Sequence, residues 1–233
     1  QKNTTQNYMQ FEFNDLESNI YTAGHSVENG YKIVEKSESK IKLLYEMKRD
    51  EAIFPLAYKD ENFLYFLKTS YNQNGKEIYD DRVICSFDLK NKRLNEINST
   101  KGMLTSNAVI IHKELYFTVY NENNDSYDLY KLNIDNENKI QLIDENLNAG
   151  ELYNNNDRLM ISDNAKIYDY NNPEDFYLKK ILNYFYKNFL FQIDIQKNGD
   201  LELTVMNIKT KEVERKYNKM IDVRVQDGCV YIY

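Results

Sequence analysis

The chain has 233 residues, 42% of them hydrophobic, and its 37 acidic residues outnumber 30 basic ones, giving a net charge of −7 at pH 7. This length and apolar content allow a sizeable core in one domain. Lys and Arg are spread among the acidic residues, whereas nucleic acid is bound through a concentrated basic surface, so nucleic acid is excluded as a partner. Apolar runs are too short for a membrane-spanning helix.

The aromatic residues are of an unusual kind, with 21 Tyr, 11 Phe and no Trp. Tyr suits half-buried strand surfaces, because its ring packs while its hydroxyl reaches water. Only 7 Gly and 2 Pro are present, so turns must be built mainly from Asn, Asp, Ser and Lys, whose polar side chains bond nearby backbone. The composition therefore favours a β-rich domain.

The N-terminal stretch from Gln1 to Asn7 is polar and without pattern. We expect residues 1–8 to be a disordered spacer and residues 9–233 to form a single domain. Such a spacer is typical of the segment behind a removed export signal or a lipidated cysteine. We therefore expect an extracytoplasmic protein, with a lipid anchor ahead of Gln1 as one form of it. The alternative is a frayed terminus of a cytoplasmic protein.

Four pairs of aromatic and β-branched runs joined by a tight polar turn recur along the chain, at residues 31–45, 83–97, 129–143 and 203–217. Strands that lead into this repeat align at Ile20, Leu64, Leu115 and Leu159, in steps of 44, 51 and 44 residues. Four-stranded propeller blades recur at about 40–50 residues. The sequence thus predicts an all-β fold, a β-propeller of about five four-stranded antiparallel blades. Six blades, one of them partial, is the alternative.

Short apolar runs at 52–58, 107–112 and 221–225 predict the innermost strands of successive blades. The repeat weakens between residues 145 and 200, and the stretch 173–187 has two interpretations. Asn172 followed by Pro173 is a good helix start, which predicts a short helix. The same residues could equally form outer strands of a compressed fourth blade.

These Tyr-rich strands and Asn/Lys-rich turns resemble bacterial β-propeller proteins, including uncharacterised exported, lipoprotein-type ones. The resemblance runs from about Met9 onward and concerns the fold alone. The Trp-Asp, Tyr-Trp-Thr-Asp and double-glycine signatures of better-known propellers are absent. No functional residue can therefore be transferred from a known family.

Residues that could carry redox or metal chemistry are few. Cys85 and Cys229 each lie in an apolar strand pattern, which favours buried free thiols over a disulfide between them. His25 and His112 have no second ligand at helical or strand spacing. We therefore expect no metal, no cofactor and no catalytic constellation.

Side chains at the rim of the predicted channel are the binding candidates. These are Tyr58, Asp60, Tyr65, Glu114, Tyr116 and Tyr153. Carboxylates at strand ends there would serve a glycosidase, which needs two of them; they are Glu51, Asp60, Glu61, Glu114 and Asp222. Because acids at strand ends are usually only solvated, catalysis is the less favoured interpretation.

The sequence favours a non-enzymatic, monomeric binding or scaffolding propeller that recognises a protein or glycan through one loop face. The alternative is a carbohydrate-active or other hydrolytic enzyme with carboxylates at the channel mouth. A purely structural domain of a larger assembly is a third interpretation.

Overall fold

The computed structural model describes residues 9–12, 20–24, 31–37, 40–59, 63–220, 223–226 and 229–232. Within these ranges, regular structure is β-strand apart from one 3-10 turn at Asn98–Thr100. The all-β prediction is therefore confirmed. The predicted spacer over residues 1–8 lies outside the described residues.

Twenty-two strands follow one another along the described chain. They are β1 (Met9–Glu12), β2 (Ile20–Gly24), β3 (Tyr31–Ser37), β4 (Lys40–Glu46), β5 (Glu51–Lys59), β6 (Phe63–Tyr71), β7 (Glu77–Asp88), β8 (Arg93–Glu96), β9 (Thr105–Ile111), β10 (Glu114–Asn121), β11 (Ser126–Asn133), β12 (Asn136–Leu147), β13 (Leu152–Asn155), β14 (Arg158–Ser162), β15 (Lys166–Asp169), β16 (Asn172–Leu178), β17 (Leu182–Tyr186), β18 (Phe189–Ile195), β19 (Leu201–Asn207), β20 (Val213–Met220), β21 (Val223–Gln226) and β22 (Cys229–Ile232).

Within each sheet, every strand pairs with the next one in the chain, so every sheet is a simple meander. The described strands form sheet I (β1–β4), sheet II (β5–β8), sheet III (β9–β12), sheet IV (β13–β16), sheet V (β17–β20) and the two-stranded sheet VI (β21–β22). The prediction of about five four-stranded sheets is confirmed. Sheet VI corresponds to the partial sixth blade of the alternative.

Of the two interpretations of the stretch 173–187, the helix was wrong, and the stretch forms strands as the other interpretation predicted. It forms β16 and β17, the last strand of sheet IV and the first of sheet V. Pro173 lies on the outer edge of sheet IV, where a missing backbone N–H breaks no ladder. Tyr177, 3% exposed, is buried in the core and donates its hydroxyl to the carbonyl of Ile208 at 3.1 Å. Long-range packing of this kind overrides a local helix-start signal.

The contacts divide the chain into two compact units. The first comprises residues 1–105 and 132–141, and the second comprises residues 106–131 and 142–233. In the first unit one apolar cluster joins sheets I and II. Its buried members are Ile33, Met47, Ile53, Leu64, Phe66, Val83, Cys85 and Phe87. Cys85 is fully buried and is not in a disulfide, as predicted, while the side chain of Cys229 lies outside the described residues.

Sheet IV of the second unit is buried on both faces. Leu159 and Ile161 of β14 join a cluster with Val109, Ile111, Leu129 and Leu152. Met160, between them, joins the cluster on the other face with Ile167, Tyr177, Leu190 and Ile208. Successive strand residues point to opposite faces, so a continuous apolar run is what a strand covered on both sides requires.

The turn after the third strand is built in the same way in sheets II to V. The last residue of that strand is Asp or Asn, and its side-chain oxygen accepts the backbone N–H two residues further on, at 2.9–3.0 Å. These residues are Asp88, Asn133, Asp169 and Asn207. An apolar residue follows each of them: Leu89, Ile134, Tyr170 and Ile208.

Those apolar residues anchor the turns. Leu89 packs against the cluster of sheets I and II, Tyr170 against that of sheets III and IV, and Ile208 against that of sheets IV and V. These three turns therefore contact a cluster that includes the sheet preceding their own. Ile134 is also buried.

Other turns reach the left-handed region without glycine. Asn156 and Asp157 both have positive φ in the two-residue turn between β13 and β14, which is the type I′ geometry of tight hairpins. His112 does the same in the turn between β9 and β10 and is exposed.

The described residues contain no helix that is long and apolar enough to cross a membrane.

Candidate functional site

An open cleft of about 460 Å³ lies in the first unit, between the outer strands of sheet II and the turn that joins β11 to β12. Its lining is mixed, with polar residues in the majority. The lining residues are Phe63, Ser86, Asp88, Arg93, Asn95, Ile134, Asp135 and Asn136. Ligand sites are commonly concave and about 300–1,000 Å³ in volume, so the cleft has the size of a binding site.

The pairing register of sheet II places the sheet wall of this cleft. Phe63, Asp88 and Arg93 lie directly opposite one another on β6, β7 and β8. Ser86 and Asn95 form the next row, two residues along each strand. Directly opposed residues, and residues two apart, share one face of a sheet. The intervening residues Phe87 and Leu94 point the other way, into the core with sheet I.

Asp88 is held in place by its own turn. Oδ1 accepts the backbone N–H groups of Lys90 and Asn91, each at 2.9 Å, and Oδ2 accepts the Asn91 amide at 2.7 Å. These bonds, that from the Asn91 backbone first, lower the pKa of the Asp88 carboxyl below its ordinary value. Asp88 is therefore a fixed carboxylate that accepts hydrogen bonds and does not deliver a proton at neutral pH.

Arg93 lies opposite Asp88 on the neighbouring strand. Its guanidinium forms no hydrogen bond or ion pair with a residue that the structure describes. Its guanidinium is exposed and offers five N–H donors. The facing wall is the β11–β12 turn, held by the bond from the Asp135 N–H to Asn133 Oδ1 at 2.9 Å. Its residue Ile134 is buried, while Asp135 and Asn136 are exposed at the cleft.

Three of the predicted site residues belong to the first unit. Tyr65 lies opposite Ser86, so it shares the face of the cleft, but it is 1% exposed and serves as packing beneath it. Tyr58 belongs to β5 opposite Leu64, and its side chain lies outside the described residues, as does Asp60. Glu51, a candidate acid, is bound to Lys68 at 3.1 Å.

The other three belong to the second unit. Glu114 begins β10 and is half-buried. Tyr116 packs against the cluster between sheets III and IV, and Tyr153 packs against the cluster between sheets IV and V, with its ring 5.6 Å from that of Phe185. Burial, and then the charge of Glu151, raise the pKa of the Tyr153 hydroxyl, which donates to Glu151 at 2.9 Å. Tyr116 and Tyr153 thus join different clusters.

Several described carboxylates outside the cleft are engaged in ion pairs. The pKa of Glu77 is lowered by its hydrogen bonds from Arg82, that of Asp175 by Lys211 and then Arg158, and that of Asp194 by Lys180. Every described carboxyl whose pKa shifts is shifted downward, whereas a general acid at neutral pH needs a raised pKa. Among the described residues, no three His, Cys, Asp or Glu side chains come together as metal ligands would.

The sequence analysis missed both walls of the cleft, the one formed by sheet II and the one formed by the β11–β12 turn. A usable signal was present: an Asp or Asn between two apolar residues marks the end of the third strand in sheets II to V. Applied to Phe87-Asp88-Leu89 and Leu132-Asn133-Ile134, this pattern locates both turns that border the cleft. It does not reveal which sheet each turn contacts.

No family model and no curated protein matches the sequence. Solved structures do match. The crystal structure of TolB from Acinetobacter baumannii has a TM-score of 0.59 at 15% identity, covering 94% of this chain and 55% of the TolB chain. The uncharacterized protein lmo1340 from Listeria monocytogenes EGD-e has a TM-score of 0.51 at 13% identity, covering 92% of this chain and 66% of that one.

A chain of a nidogen–laminin complex has a TM-score of 0.50 at 14% identity, covering 88% of this chain and 77% of that one. At such low identities the likeness concerns the fold alone. This chain spans about half the length of the TolB chain that it matches. The resemblance to β-propeller proteins predicted from the repeats is confirmed at the level of the fold: this is an all-β chain of the β-propeller class.

Proposed function

We propose that this protein is a non-enzymatic binding propeller that works outside the cytoplasm, as a monomer, with a lipid anchor ahead of Gln1. It recognises a protein or glycan partner through one loop face. That face is the edge of sheet II with the β7–β8 turn, together with the β11–β12 turn.

The cleft carries this proposal. It opens between turns, it is bordered by Arg93 with no partner among the described residues, and its carboxylate Asp88 is fixed by its own turn. Fixed acceptors beside an available donor are what recognition requires. A similar fold occurs in a nidogen–laminin complex, which is consistent with a propeller that binds another protein. The downward pKa shifts of the carboxylates favour binding over hydrolysis.

Photo-crosslinking in intact cells tests the binding face. A photoreactive residue at Asn136, exposed at the cleft, is compared with one at Asn198, exposed in the β18–β19 turn. We expect a crosslinked partner at Asn136 and none at Asn198. Equal crosslinking at both positions, or none at Asn136, would contradict the proposed face.

Fractionation of the producing cells tests the location. We expect the full-length protein in the envelope or secreted fraction. Recovery with the cytoplasmic markers would overturn the extracytoplasmic part of the proposal and leave the binding face untouched.

A further inference from the structure

The chemistry of the cleft indicates which ligand class it takes. We infer that the cleft binds a neutral saccharide, held by hydrogen bonds to its hydroxyl groups from both walls. This inference rests on the proposed binding function and narrows its protein-or-glycan partner to a glycan.

Donors and acceptors alternate around the cleft. Arg93 supplies donors, Asp88 and Asp135 supply carboxylate acceptors, and the amides of Asn95 and Asn136 supply both. A sugar hydroxyl donates one hydrogen bond and accepts others, so a ring with several hydroxyls can use this mixture. A ligand with only donors or only acceptors can use half of it.

Charge argues against simple ions. An anion attracted to Arg93 would also meet the carboxylates of Asp88 and Asp135, and a cation attracted to those carboxylates would meet Arg93. In a solvent-exposed cleft, where charge–charge interactions are already weak, this repulsion cancels much of the attraction. A neutral polar ligand avoids the repulsion and still uses each group as a donor or acceptor.

An apolar surface is present as well. The ring of Phe63 is half-buried at the inner end of the Phe63–Asp88–Arg93 row, and Ile134 is buried in the facing turn. The C–H groups of a sugar ring can pack on such a surface while its hydroxyls reach the polar row. The polar side chains of Asp88 and Arg93 beside the Phe63 ring thus match a pyranose, which has apolar C–H faces and polar hydroxyl groups.

The size of the cleft fits a short saccharide. At about 30 Å³ per water molecule, 460 Å³ corresponds to about 15 waters. Because the cleft is open to solvent on one side, both walls contribute only if the ligand bridges them. Substitutions on either wall should therefore weaken the same binding event.

The test uses ¹⁵N-labelled full-length protein titrated with cellobiose and with N-acetylglucosamine, and in parallel with sodium acetate and a blocked Ser-Asn-Gly peptide. We expect saccharide-induced shifts of backbone amides confined to residues 63, 86–95 and 134–136. Arg93→Gln and Asn136→Ala should each weaken saccharide binding at least fivefold. Arg49→Gln is the matched control, because it makes the same substitution at an exposed residue of the turn between β4 and β5, which does not line the cleft, and it should change the affinity less than twofold. Circular dichroism spectra and melting temperatures verify that each variant is folded.

Several results would overturn the inference. Acetate reproducing the saccharide shifts would make the cleft an anion site, and the peptide alone binding would make it a protein site. No shift with either saccharide, or equal weakening in Arg49→Gln, would also reject it. The proposed function is judged separately by crosslinking at Asn136: a protein crosslinked there while saccharides fail to bind refutes the saccharide alone, and the absence of both refutes both.

Discussion

Lys68 is the most informative position at which to test how this fold is stabilised. It lies in the core between sheets I and II, 9% exposed, opposite Ile53 and Val83. Its ammonium binds Glu51 Oε1 at 3.1 Å and also contacts Glu96 Oε1. Burial alone would lower the pKa of Lys68, but the hydrogen bonds to Glu96 and Glu51 outweigh it and raise the pKa to about 12. The group is therefore charged at every ordinary pH.

Lys68→Met removes the charge and keeps the length of the side chain. Removing one partner of a buried ion pair costs about 3–5 kcal/mol, because the other charge remains buried. Glu51 is left 12% exposed, but it keeps the backbone N–H of Lys48 at 3.2 Å, and Glu96, 43% exposed, can turn to water. We therefore expect a loss of about 2–3 kcal/mol, which lowers the melting temperature of a chain of this size by about 4–12 °C.

Thermal unfolding followed by circular dichroism measures this change. Lys42→Met is the control, since Lys42 and Glu35 pair at 3.0 Å with 62% and 44% of their side chains exposed, and such surface pairs contribute about 0–1 kcal/mol. The double variant Lys68→Met with Glu51→Gln should regain at least half of the loss. The reasoning is refuted if Lys68→Met costs no more than Lys42→Met, or if the two losses in the double variant simply add.

Three further predictions concern single residues. The hydrogen bond from Arg82 lowers the pKa of Glu77 below its ordinary 4.5. This pair therefore stabilises the fold above that pH, and the contribution is lost as the pH falls below about 4.5. The melting temperature of Glu77→Gln should depend less on pH in that range than the melting temperature of the parent. Gly150→Ala places a Cβ 2.5 Å from the Tyr127 ring and should lower the free energy of unfolding in urea by about 1–3 kcal/mol. Adding Tyr127→Leu to this variant should restore part of the loss, and no recovery would contradict the clash. Asp88→Ala should lower the free energy of unfolding, because the hydrogen bonds of its turn are lost. Asp88→Asn, which keeps an acceptor oxygen, should lower it less, and equal losses in the two variants would contradict the role assigned to the turn.

Much of the fold was predictable because its signals are local. Each outer hairpin lies within about 15 consecutive residues, which contain a strand with alternating residues, an Asp or Asn turn and a second strand. The local sequence therefore predicts the hairpin. Sheet IV was harder to predict for a physical reason. Leu159, Met160 and Ile161 are buried on both faces of that sheet, which removes the alternation that identifies a strand. The first strand of sheet V, Leu182–Tyr186, was missed next to it.

The cleft was not predictable in the same way. Phe63, Arg93 and Asn136 come together through strand register and the contact of a turn with the preceding sheet, and neither is encoded in adjacent residues. Tyr65 was predicted as a binding residue, but its side chain is buried. Its Tyr-rich strand suggested an exposed ring, yet the face that it shares with the cleft buries it.

The anchored turns bear on how the protein is made. Leu89, Tyr170 and Ile208 each insert into a cluster that includes the sheet synthesised before their own. A growing chain can therefore settle sheets II, IV and V each onto a sheet that has already left the ribosome, without waiting for the C-terminus. We expect a defect in one of these turns to disturb the sheet that carries it more than the sheet made before it.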